Sequence, residues 1–148
     1  MKTKTTLYAT ATFLLMIFAL PVCAATYTWI GTGFMGSPDY LWSNPFNWQG
    51  ASAPQTGETN VIIIFPNSGA PRNTTNDIGG LVVESIRFQG DNYTVAGKAP
   101  GNVLALTSDR FSGDSIEATG NNCKFHSNIQ LILTNDITAD VAAIKTFT

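Results

Sequence analysis

Five acidic side chains are placed so that chemistry could be asked of them. Asp109, Asp114 and Glu117 lie close together around Gly113, and Asp77 and Asp136 occupy the same place in two copies of Thr-Asn-Asp-Ile, at 75–78 and 134–137. Paired carboxyls about 5–9.5 Å apart are what glycoside cleavage uses, one of them with its pKa raised by burial. The first three sit among Ser, Gly and Arg110, a composition that solvates a carboxylate rather than burying it. If the two Thr-Asn-Asp-Ile stretches lie three layers apart in a stack of strands, Asp77 and Asp136 end roughly 14 Å apart, at about 4.8 Å per layer. Turn capping is therefore the expected role of all five, with Ca²⁺ between layers the one ion left open. His126 is the only histidine, so a histidine-based triad or a multi-histidine metal site lacks its parts. Cys123 has only Lys124 beside it to stabilise a thiolate. No catalytic residue and no resident cofactor is expected.

Binding chemistry rests instead on aromatic rings. All three tryptophans, Trp29, Trp42 and Trp48, fall within twenty residues, together with Tyr40 and Phe46 among Pro, Gly, Asn and Ser. Two roles fit these residue types. Trp42, Trp48 and Tyr40 in polar loops could stack on a sugar, or Trp29, Trp42, Phe46 and Trp48 could be buried as a structural cap. The elements around them decide.

Residues 1–24 have the form of a cleaved secretory signal: Lys2 and Lys4, an uncharged apolar run, then Val22-Cys23-Ala24 before Ala25. The rival reading, in which Leu20-Pro21-Val22-Cys23 directs lipid attachment to Cys23, is weakened by Val22, where that signal prefers a smaller residue. Cleavage after Ala24 leaves about 124 of the 148 residues, enough for one domain with a core. Loss of Lys2 and Lys4 takes the formal net charge from -2 to -4, which offers no footprint for nucleic acid, and no later apolar stretch is long enough to span a membrane. Cys123 alone remains, so no internal disulfide can form.

The remainder reads as strands. Apolar or alternating runs at 60–65, 81–88, 93–95, 102–107 and 128–134 are divided by turn clusters at 90–92, 97–101 and 120–122. In 81–88 the apolar residues Leu81 and Val83 share one parity while Ile86 and Phe88 share the other, so the inward face must switch near Glu84-Ser85. A flat strand cannot do that, whereas a chain bending at a bulge or corner can. With the repeated Thr-Asn-Asp-Ile, this predicts an all-β solenoid with coils of about 20 residues. Asn76, Asn102, Asn121, Asn122, Asn128 and Asn135 are expected to stack as ladders or to occupy left-handed turn positions.

The stretches "YTWIGTG", "LWSNPFNWQGASAPQTGETNVIIIF", "TTNDIGGLVVESIRFQGDNYTVAGKAPGNVLAL", "SIEATGNN" and "NIQLIL" resemble the start of exported bacterial proteins carrying autotransporter-associated β-strand repeats, across essentially the whole chain after residue 24. The resemblance implies a right-handed parallel β-helix outside the cell, with a signal segment at 1–24, an aromatic cap and first strand at 25–66, and coils at 67–148 that stop short of a complete helix. Members of that family are usually much longer, which makes this chain either an N-terminal portion or a short form. The ends of a solenoid need covers, so the tryptophans fit a cap better than a sugar platform. The expected function is a non-enzymatic surface scaffold or adhesin-like passenger segment, extracellular or on the outer cell surface. The alternatives are a glycan-binding module and, behind it, a polysaccharide-cleaving β-helix enzyme. Extracellular glycan or a cell-surface ligand is the expected partner, together with self-association through an open C-terminal coil.

Overall fold

The computed structural model describes residues 23–33, 39–99, 102–107, 115–134 and 139–141. The expected signal segment lies almost wholly outside these residues, and Asp109, Asp114, Asn135, Asp136 and the whole stretch 142–148 lie outside them. Among the described residues the chain is all-β. These described residues contain no α-helix, and their one helical element is a 3₁₀ turn at Pro45–Asn47.

Ten strands follow in order: β1 (Ala25–Thr28), β2 (Val61–Phe65), β3 (Asn73–Asn76), β4 (Val82–Phe88), β5 (Thr94–Gly97), β6 (Asn102–Leu106), β7 (Ile116–Ala118), β8 (Lys124–Phe125), β9 (Ile129–Leu133) and β10 (Ala139–Val141). They form two sheets in which every pair of strands is parallel. One sheet runs β1-β2-β4-β6-β9, with β7 on β4 and β10 on β7, and the other runs β3-β5-β8. From β2 to β6 the chain alternates between the sheets, and partners are set by return distance: Asn73 lies beside Thr94, Ile62 beside Ser85, and Thr94 beside Lys124. The return is 36 residues from β1 to β2, close to the expected 20 from β2 to β4 and from β3 to β5, and 30 from β5 to β8.

The parity switch in 81–88 is a β-bulge. Val61 pairs with Val83 but Ile62 pairs with Ser85, so Glu84 is the extra residue. The bulge lets Val83, Ile86 and Phe88 all face inward on one strand. It also divides β4 between two neighbours, since Val82 and Val83 pair with β6 while Ile86 to Phe88 pair with β7. Like side chains consequently stack in columns. Ile63, Ile86 and Ile116 form one, and Phe65 lies on Phe88 with ring centroids 5.1 Å apart and planes 14° apart. Parallel registry of like residues places similar shapes in neighbouring layers, as in Val61 beside Val83 and Phe65 beside Phe88.

The loops between sheets stack as well. Gly90-Asp91-Asn92 lies beneath Gly120-Asn121-Asn122. Asp91 Oδ1 accepts from the backbone N–H of Asn121 at 2.6 Å and from its side-chain amide at 3.1 Å, and Asn122 Nδ2 donates to Asn92 Oδ1 at 3.2 Å. Asn92 and Asn122 share the left-handed conformation, with φ of 61° and 60°, which asparagine tolerates better than most residues. The two turns are so close that a Cβ on Gly120 would collide with the Gly90 carbonyl. Of the asparagines expected to stack or to take left-handed positions, Asn122 does both, stacking on Asn92, and Asn76 Nδ2 donates to Asn102 Oδ1 at 3.3 Å.

Candidate functional site

The aromatic cluster at the β1 end is the most elaborate assembly of side chains among the described residues. Trp29, Trp42 and Trp48 are each 0 % exposed. Trp48 packs edge-on against both others, with centroids 5.2 Å from Trp29 and 5.9 Å from Trp42, and Trp29 and Trp42 both reach Phe65 of β2. Every indole N–H has an acceptor: Trp29 donates to the Pro71 carbonyl, Trp42 to Thr74 Oγ1 and Trp48 to the Trp42 carbonyl. Buried indoles need that, because an unpaired donor in an apolar site costs about as much as the contact gains.

The polar residues between the tryptophans tie the loop down. Asn47 is fully buried; its side-chain oxygen accepts from Gly33 N–H, its amide donates to Asp39 and to the Leu41 carbonyl, and its own carbonyl accepts from Ile30 and Gly31. Burial pushes the Asp39 carboxyl up, but hydrogen bonds from Asn44, from the Leu41 N–H and from Asn47 outweigh it and hold the group below its ordinary value. Asp77, expected to cap a turn, does so by reaching this loop: it accepts from Ser43 N–H at 2.8 Å and Ser43 Oγ at 2.6 Å, with Lys98 Nζ 3.8 Å away. On the other side, Tyr27 donates to Glu58, and its pKa is pushed up to about 12 by burial, by that hydrogen bond and by the Glu58 charge.

Two expectations about individual rings need correction. Phe46 does not join the buried cluster and is 42 % exposed. It sits in the 3₁₀ turn, where one inward position is available per three residues, and Asn47 occupies it. Trp42 and Trp48, weighed as sugar-stacking faces, present no face to solvent in this arrangement. Tyr40, half-buried with φ of 58°, packs against the core cluster, and its carbonyl accepts from Thr75 N–H.

The candidate chemical residues are dispersed. Glu117 lies 3.6 Å from Arg87 on the outer face of the sheet, and both are partly exposed. His126 is exposed, with Nδ1 3.0 Å from Asn128 Oδ1. Cys123 is buried with Sγ 3.2 Å from the Gly90 carbonyl, and burial pushes its thiol up. Among the described residues no three of His, Cys, Asp and Glu gather into a group that could hold a metal. Nothing in the spacing marks Asn47 as the hub of the loop, because a buried asparagine and a turn asparagine look alike in one sequence. Nor does it mark Arg72, whose guanidinium lies 4.5 Å over the Tyr93 ring and donates to the Pro66 and Ser68 carbonyls.

Comparison with protein-family models, with curated proteins and with solved structures found no match.

Proposed function

We propose that this chain is a segment of an exported surface scaffold, a right-handed parallel β-helix whose first coil is closed by an aromatic cap, and that it acts by mechanical display rather than catalysis. The observation that carries this reading is the layer-on-layer registry of two parallel sheets together with their turns. Such an array is quasi-one-dimensional, so it can be lengthened without redesigning a core and it presents surface along its whole side. The interior columns are filled by Ile, Val, Phe and Leu, which leaves function to the outer faces and turns. The resemblance in "LWSNPFNW" and "SIRFQGDNYTV" to autotransporter-associated repeat proteins supports the same assignment, as does the signal-like segment at 1–24.

An epitope inserted between Lys98 and Ala99, both exposed in a turn, tests it. In cells that express the protein from its own gene, the account expects antibody labelling on intact cells. Labelling only after permeabilisation would remove both the surface assignment and the scaffold role.

A further inference from the structure

Most asparagines among the described residues have a structural task. Asn44, Asn47, Asn76, Asn121, Asn122 and Asn128 donate their side-chain amides to acceptors within the chain. Asn60 and Asn92 hold left-handed turns, with φ of 57° and 61°. Asn73 does neither. It is the first residue of β3, it is exposed, and its carboxamide has no hydrogen-bond partner among the described residues.

Two positions on, Thr75 lies on the same outer face, because side chains alternate along a strand and Thr74 and Asn76 take the buried positions. Thr75 is half-buried, and its hydroxyl is likewise without a partner among the described residues. The strand beneath this pair is fixed. Thr74 Oγ1 accepts from the Trp42 indole, and the Thr75 backbone donates to the Tyr40 carbonyl and accepts from the Trp42 N–H. A carboxamide and a hydroxyl are thus presented side by side on the folded surface. Asn73-Thr74-Thr75 has a hydroxyl residue at the second place after asparagine and no proline between, which is the acceptor triplet for N-linked sugar.

We propose that Asn73 is a glycosylation site and that its co-substrate is a sugar held as a glycosyl diphosphate. In the transfer, Asn73 Nδ2 bonds to the anomeric carbon as the bond from that carbon to the diphosphate breaks. The diphosphate leaves with the electron pair, and a base of the transferase takes the amide proton. Asn73 Oδ1 and the Thr75 hydroxyl are the free groups by which a transferase can orient the amide. Two other asparagines sharpen the choice. Asn67 is equally exposed and without a partner among the described residues, but Gly69 stands where the hydroxyl is needed. Asn92-Tyr93-Thr94 repeats the triplet, but Asn92 Oδ1 already accepts from Asn122 and its backbone is left-handed, so its carboxamide is not free to be turned. The modification goes beyond the scaffold reading and does not depend on it, since the sugar is read by mass whatever compartment the protein occupies.

Trypsin separates the two triplets into peptides 73–87 and 88–98. Protein purified from the cells that express it from its own gene is digested and fragmented by electron transfer, which leaves a sugar on its residue. The expected result is hexose or N-acetylhexosamine mass on Asn73. Masses that step by one sugar indicate addition from a nucleotide-linked donor, and one fixed oligosaccharide mass indicates transfer from a lipid-linked donor; either supports the site. Asn73→Gln and Thr75→Ala should lose the sugar and Thr75→Ser should keep it, with all three variants retaining the wild-type circular dichroism spectrum. An unmodified 73–87 peptide, sugar on 88–98 alone, sugar on a threonine hydroxyl, or sugar on 73–87 that survives Asn73→Gln overturns the proposal.

Discussion

Replacing Trp48 by alanine probes the cap where its packing is densest. The side chain is fully buried, touches Tyr27, Trp29 and Trp42 at centroid distances of 5.9, 5.2 and 5.9 Å, and holds the Trp42 carbonyl through a 2.7 Å hydrogen bond. A buried ring of this size removes roughly 150–250 Å² from water. Its truncation costs about 3–5 kcal/mol through lost transfer energy and the cavity left behind. The orphaned Trp42 carbonyl adds about 1–3 kcal/mol, unless water enters the cavity to bond it. Against a total stability of about 5–15 kcal/mol for a domain, the loss is a large fraction of the whole. Trp48→Phe keeps most of the ring area but not the N–H, and should fall between wild type and Trp48→Ala. Urea denaturation followed by far-UV circular dichroism reads the midpoint without depending on the removed fluorophore. A midpoint for Trp48→Ala within about 0.5 kcal/mol of wild type, the ordinary range for a surface substitution, would show that the indole is not buried as described.

Gly120→Ala should cost about 1–3 kcal/mol, because the new Cβ meets the Gly90 carbonyl, a backbone atom that cannot swing aside; Gly50→Ala, which meets no neighbouring atom but has φ of 79°, separates steric from conformational cost. Alkaline stability should depend on Tyr27. Its folded pKa of about 12 lies above the ordinary tyrosine value of 10.0, so its contribution is complete below pH 10 and is lost as pH rises from 10 toward 12. Tyr27→Phe should flatten that part of the midpoint-against-pH curve, and an unchanged slope would contradict the Tyr27–Glu58 bond. Cys123, buried with its thiol pushed up, should resist alkylation near pH 8 in the folded protein and react on unfolding; equal rates in both states would place it at the surface.

That the chain is all-β was legible because strand periodicity and turn residues are local signals. The parity break across Glu84-Ser85 was legible for the same reason: inward and outward alternation is a property of seven consecutive residues, and the bulge is its only economical solution. The strands that escaped are those without apolar alternation. β3 is Asn-Thr-Thr-Asn, with buried Thr74 and Asn76, and it is a strand because β5 lies beside it, not because of its own composition. β8 is two residues long and carries no pattern at all. At the cap, aromatic content was legible but exposure was not, since the geometry of one 3₁₀ turn directs Asn47 inward and leaves Phe46 exposed. Tertiary bonds such as Asp77 to Ser43 join residues 34 positions apart, and no single-sequence spacing announces them.

The central claim is that successive coils stack in parallel register, turn upon turn. Through-space proton contacts in solution read that register directly. The account predicts backbone contacts between Thr94 and Lys124, between Val95 and Phe125, and between Arg87 and Glu117, in the parallel pattern and with the register that these pairs define. Antiparallel contacts between strands adjacent in sequence, such as β4 with β5, would instead indicate hairpins and a sandwich, and the scaffold built on stacked coils would fall with them.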